Sequence, residues 1–143
     1  MKRLFLVFLG VLALNSFSQS VPAKGDYISC KTLGYDPVNY IFKNRKVFYG
    51  YNPATKKTEN SYKQDAKLTK ELFDMVDAAG LDKMKSLNES SLILERGDQQ
   101  DATFSIIEYK KGSQTYRICW DPVANDENSK KLNEISEKMT QFW

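Results

Sequence analysis

Three times in this chain an aromatic residue is followed by Asp or Asn and then by proline: Tyr35-Asp36-Pro37, Tyr51-Asn52-Pro53 and Trp120-Asp121-Pro122. The first two also follow a glycine, Gly34 and Gly50. A tyrosine or tryptophan offers a large apolar area with a polar handle, and a carboxylate or amide stands beside each. If the three turns share one rim of a sheet, Tyr35, Asp36, Tyr51, Asn52, Trp120 and Asp121 form a surface for a protein, a peptide or a sugar. Turn chemistry explains the same residues without a ligand: Asx before proline opens a turn, and the residue before proline is held extended. Asp36 and Asp121 are also candidates for a hydrolytic carboxylate pair, but such a pair needs a defined separation, which spacing in the chain does not supply.

Missing residue types narrow the chemistry further. The 143 residues include no histidine. That removes the Ser-His-Asp triad, the Cys-His dyad, the imidazole base, and His-ligated zinc or haem. There is no phosphate loop, no dinucleotide fingerprint and no EF-hand spacing around Asp98 and Asp101, so no cofactor and no metal are expected. Lysine pairs at Lys56-Lys57, Lys110-Lys111 and Lys130-Lys131 alternate with tyrosines in the manner of single-strand nucleic-acid platforms. Lysines at turns and edges equally serve to keep a sheet soluble and block edge pairing. The charge balance favours that second role, as follows from the N-terminus.

Lys2 and Arg3 precede an unbroken apolar run, Leu4 to Leu14, and then a polar stretch with small residues, Asn15 to Ser20. This is the three-part plan of a secretory signal peptide. The run is about 11 residues, against the roughly 20 needed to span a bilayer. Ser16 and Ser18 suit the small positions before a cleavage site, placing cleavage after Ser18, with Ser20 the alternative. No cysteine follows directly, so a lipid-anchored form is not expected. The peptide resembles Gram-negative signals, which implies a soluble protein of the periplasm or the exterior. Cleavage takes away two of the 21 basic residues and none of the 18 acidic ones, leaving a nearly neutral chain. Neither nucleic acid nor a membrane span is then expected.

Cys30 and Cys119 both fall in the mature part. Export permits a disulfide, which would close a loop of about 90 residues and contribute on the order of 4–5 kcal/mol in the chain-entropy model. Two buried free thiols are the alternative.

These residues need elements to hold them. An apolar fraction of 41% with 13% aromatic is enough for a core, and the length fits one domain. After a loose leader at 19–25, residues 26–143 read as that domain. β-Branched and aromatic runs bounded by Gly, Asn and Pro predict strands at Tyr27–Leu33, Val38–Phe42 and Val47–Tyr51, and a short extended piece around Tyr62. A helix is predicted from an N-cap at Thr69, with a Leu68–Phe73 staple, to a left-handed Gly80 that lets Leu81 pack back on Val76. Leu92-Ile93-Leu94 reads as a short strand or as apolar packing under a loop, and residues 97–101 as a polar turn. A hairpin follows, Phe104–Lys110 and Gln114–Trp120, with a three-residue loop that sets Phe104 and Ile106 opposite Trp120 and Ile118. The last helix runs from about Asp126 to Phe142, with Leu132, Ile135, Met139 and Phe142 on one stripe.

The order β-β-β-α-β-β-α with short hairpins predicts an α+β fold: a mainly antiparallel sheet with two amphipathic helices on one face. The order of elements resembles that of small bacterial envelope domains and of small exported protease inhibitors; no inhibitory residue carries over. The expected function is non-catalytic binding of a protein or peptide in the envelope. The alternatives are a small carboxylate hydrolase and a purely structural envelope component.

Overall fold

The computed structural model describes residues 25–44, 46–96 and 103–143. The expected signal peptide, all of the leader but Gly25, and the turn at 97–101 lie outside these residues. The described chain forms six strands: β1 (Tyr27–Thr32), β2 (Val38–Phe42), β3 (Lys46–Tyr51), β4 (Asn60–Lys63), β5 (Ser105–Lys111) and β6 (Gln114–Trp120). They make one sheet in the order β4-β3-β2-β1-β5-β6. Every neighbouring pair is antiparallel. The helices are α1 (Ala66–Ala79), α2 (Glu89–Arg96) and α3 (Glu127–Met139), the last extended by a 3-10 turn at Thr140–Phe142. The fold is α+β, as the alternation of the sequence predicts. Among the described residues no helix is long and apolar enough to cross a membrane.

Strand alternation sorts the side chains into two faces. Ile28, Ile41, Val47, Ile107 and Ile118 point to one face and meet Leu72 and Val76 of α1 and Leu132, Ile135 and Met139 of α3, all buried. Each such aliphatic side chain contributes about 1.5–3 kcal/mol on burial, so this face is the main source of stability. The stripe predicted on α3 is the one that is buried. The opposite face carries a second, smaller apolar cluster of Leu33, Ile106 and Cys119, with Leu92 of α2 packed on it.

Helix ends follow local chemistry. Asp65 caps α1, its Oδ1 accepting from the amides of Lys67 at 2.6 Å and Leu68 at 3.2 Å. The predicted cap, Thr69, instead lies inside the helix, buried, with its hydroxyl donating to the Asp65 carbonyl at 2.8 Å. Aspartate won because Ala66, Lys67 and Leu68 are themselves good helix formers, so the helix starts a turn earlier. Gly80 ends α1 at φ 71, and Leu81 packs in the same cluster as Val76, as expected. Helix α2 was not foreseen. Its contiguous apolar trio hides the helical period, but Asn88 caps it, accepting from the Ser91 amide at 3.1 Å.

The hairpin register also differs from the expectation. Lys111 pairs with Gln114 around a two-residue turn, Gly112-Ser113, with Gly112 at φ 61. Ile107 therefore faces Ile118, and Ile106 faces Cys119. The predicted register gathered all apolar residues on one face. Both faces of β5 are covered, by α1 and α3 on one side and α2 on the other, so that criterion did not apply.

The disulfide is a correction. Cys30 and Cys119 are both free. Cys30 pairs with Ile107 and lies on the α1/α3 face, while Cys119 pairs with Ile106 and lies on the α2 face. Strand β5 stands between them, so the two thiols are two strands apart and on opposite sides of the sheet, beyond the reach of a disulfide.

Candidate functional site

Because β1, β3 and β6 run in the same direction, their three C-terminal turns do share one rim of the sheet. The rings do not form a common surface there. Tyr35 is 60% exposed, whereas Tyr51 and Trp120 are 3% and 4% exposed. Trp120 faces α3, and its Nε1 donates to Asn133 Oδ1 at 2.9 Å. Asn133 Nδ2 in turn donates to the Pro122 carbonyl at 2.8 Å, so one asparagine fixes both the ring and the turn after it.

The Asx side chains make turns. Asn52 Oδ1 accepts from the Ala54 amide at 2.9 Å, and Asp121 Oδ1 accepts from the Val123 amide at 3.0 Å. Asp36 is exposed. It stands after β1, and Asp121 after β6, with β5 between the two strands. The two carboxylates share no described cavity: Asp121 lines one between β6 and α3, and Tyr35 and Pro37 line a different groove, of about 430 Å³, beside Cys30 and Ser136. Asn52 and Asp121 are therefore placed as turn residues, Asp36 is an exposed loop carboxylate, and Tyr35 is the exposed member of the aromatic set.

The thiols are not poised for nucleophilic work. Burial pushes the Cys30 thiol above its ordinary range, with the Ser136 hydroxyl opposing this. Burial likewise raises Cys119, and the Glu89 carboxylate adds to that. A reactive cysteine needs the reverse, a depressed pKa beside a cation or a helix N-terminus.

The largest aromatic assembly lies elsewhere, on the face opposite α1 and α3. Tyr27, Tyr40, Phe42, Phe48 and Tyr51 come together there from β1, β2 and β3. Tyr40 stacks on Phe42 at 5.8 Å between centroids, and edge contacts join Tyr27 to Tyr40 at 5.3 Å and Phe42 to Phe48 at 5.6 Å. Tyr51 meets Tyr40 edge-on at 5.8 Å. Phe42, Tyr27 and Tyr51 are buried, and Tyr40 and Phe48 beside them are half-buried.

A bulge puts Tyr51 in this group. Val38 pairs with Tyr51 but Tyr40 pairs with Phe48, so Tyr49 and Gly50 together oppose Asn39. The extra residue switches the side on which the following ring points. Without it, Tyr51 would share the α1/α3 face with Val47 and Tyr49. Gly50 takes φ 68, and its amide donates to Asn39 Oδ1 at 2.8 Å. The sequence shows Gly50 and the aromatic spacing, but not the side-switch.

A polar strip bounds the aromatic group toward α2. The Tyr27 hydroxyl donates to Glu108, Arg117 Nη1 donates to Glu108 Oε2 at 3.0 Å, and Arg117 grips Glu89 of α2 through Nε at 2.8 Å and Nη2 at 3.0 Å. Burial, and then the bond to Glu108, raises the Tyr27 phenol far above its ordinary range; burial and the Glu108 charge raise Tyr40 as well. Both tyrosines are therefore neutral at physiological pH. The face offers flat apolar rings edged by neutral hydroxyls and one carboxylate–guanidinium network, a composition suited to side-chain contacts rather than to bond breaking.

On its other side the aromatic group reaches the sheet edge. Lys46 and Lys63 are paired directly across β3 and β4, and with Phe48, Ser61, Tyr62 and Asn44 they line a shallow groove of about 480 Å³. Compared with models of protein families and with curated proteins, the sequence finds no match.

Proposed function

We propose that this chain is an exported, non-catalytic domain that binds a protein or peptide partner in the cell envelope, and that the aromatic face of β1–β3 is its contact surface. One observation carries the reading. Tyr40 and Phe48 are partly exposed beside the buried rings of Tyr27, Phe42 and Tyr51, on a face on which no described helix packs, since α1 and α3 cover the other side and α2 sits over Leu33, Ile106 and Cys119. Large rings held rigid by one another lose little conformational entropy on binding, which is why such groups dominate interface energetics. The signal-like N-terminus supports the address.

The test is selection of a random peptide library on the immobilised protein. Peptides enriched on the parent should lose at least tenfold in affinity on Phe48→Ser and Tyr40→Ser variants that keep their melting transition. No enrichment, or peptides held equally by the folded variants, would remove this face from consideration.

A further inference from the structure

Strand β4 is one edge of the sheet, and all four of its residues are exposed. The Glu59 amide donates to the Gly50 carbonyl at 3.4 Å, at the bulge where the Gly50 carbonyl faces β4 and its amide faces β2. In antiparallel pairing the backbone groups of alternate residues turn inward. The Lys43 amide donates to the Asp26 carbonyl, so Asn39 and Ile41 bond toward β1 and Tyr40 and Phe42 toward β3; Lys46 and Phe48 thus face β2, the pairs Val47–Tyr62 and Tyr49–Asn60 bond inward, and the N–H and C=O of Ser61 and Lys63 point away from β3. That is an open template for a further strand.

Its charge pattern is unusual. Lys46 and Lys63 are exposed and stand directly opposite each other, a like-charge pair that opposes the pairing of the two strands. Among the described residues neither makes an ion pair. The nearest acids in sequence are otherwise placed: Asp65 caps α1, and Glu59 lies at the far end of the strand against Gly50. Beside Lys63, Ser61 is small and stands next to the half-buried Phe48 ring in the same groove.

We infer that the β4 edge accepts an extended acidic segment of another protein as a seventh strand. An acidic side chain would sit opposite Lys63, and an apolar one, two residues away on the same face, would cross Ser61 to Phe48. This inference rests on the proposed function and gives it a partner class. Edge lysines commonly block pairing, and here the block is selective. A second copy of β4 would bring Lys63 against more positive charge, and an apolar strand would leave Lys63 poorly solvated. An acidic strand neutralises the repulsion that β3 and β4 already carry.

The experiment is amide exchange by NMR on the labelled protein, with synthetic ten-residue peptides alternating valine with glutamate or valine with lysine. The glutamate peptide should slow exchange of the Ser61 and Lys63 amides at least tenfold, and the lysine peptide should leave them unchanged. Lys63→Glu should reverse that preference. Ser61→Pro removes an outward N–H without touching the ladder to β3, and should abolish binding. Equal response to both peptides overturns the inference. Protection that grows with protein concentration alone also overturns it and assigns the edge to self-pairing. If library-selected peptides move only the Tyr40 and Phe48 signals while Ser61 and Lys63 exchange freely, the edge fails and the aromatic face stands.

Discussion

Gly50 shows how much one residue can hold in place. At φ 68 a side chain is strained, and a Cβ added there would lie 2.9 Å from the Glu59 Cβ and 2.8 Å from its Oε2. The carboxylate end can swing away; the Cβ is fixed in place by the Glu59 backbone and cannot. Gly50→Ala should therefore cost about 1–2 kcal/mol from the left-handed backbone alone, and more from the clash, read as a lower denaturant midpoint at constant slope. A change within error would show that the bulge relaxes freely. The residue scale is also where the sequence was hardest to read. The aromatic-Asx-Pro turns were visible, and their shared rim follows from strand parity. Which rings are exposed was not visible, because the bulge at Tyr49-Gly50 and the anchoring of Trp120 by Asn133 depend on partners 11 and 13 residues away. Tyr40 and Phe48 escaped notice because period-2 alternation marks a face without saying whether a helix covers it.

Among the elements, α2 is the most lightly held. Leu92 gives it an apolar contact and Glu89 an ion pair. The Arg117 guanidinium holds the Glu89 carboxyl below its ordinary range, with burial opposing. A carboxylate whose folded pKa is depressed supplies stability above its unfolded pKa, about 4.3, and loses it as pH falls through the folded value. Acid should therefore release α2 before α1 and α3. Hydrogen exchange between pH 5 and 3 should show α2 amides losing protection first, and Glu89→Gln should reproduce that loss at neutral pH. Loss of all three helices together would mean that α2 has no separate stability. The elements with clean periodicity, the five longer strands and α3, were legible within a residue or two. Helix α2 was not, because eight residues with a contiguous apolar trio carry no clear period. The hairpin register was missed because the predicted one assumed a single buried face.

At the scale of the whole molecule, the first and last described elements are joined without a covalent tie. The first described strand, β1, sits inside the sheet between β2 and β5, and α3 closes over it. If a disulfide linked Cys30 and Cys119, its reduction would remove on the order of 4–5 kcal/mol, a fall in melting temperature of roughly 10 °C or more for a domain of this size. With both thiols free, reductant should leave the melting temperature unchanged within 1 °C. A large fall would place a bond where the sheet has none.

The position of the two thiols bears on how the chain reaches this state. Before β5 is laid down beside β1, nothing keeps residues 30 and 119 apart. In an oxidising compartment the unfolded chain can join them, and a chain so joined cannot place β5 between the two cysteines with one thiol on each side of the sheet. The bond would have to be reopened before the sheet could close. The geometry that makes the native domain indifferent to reductant thus makes its folding sensitive to oxidant, and in an oxidising compartment the yield of folded domain depends on whether the sheet forms before the thiols meet.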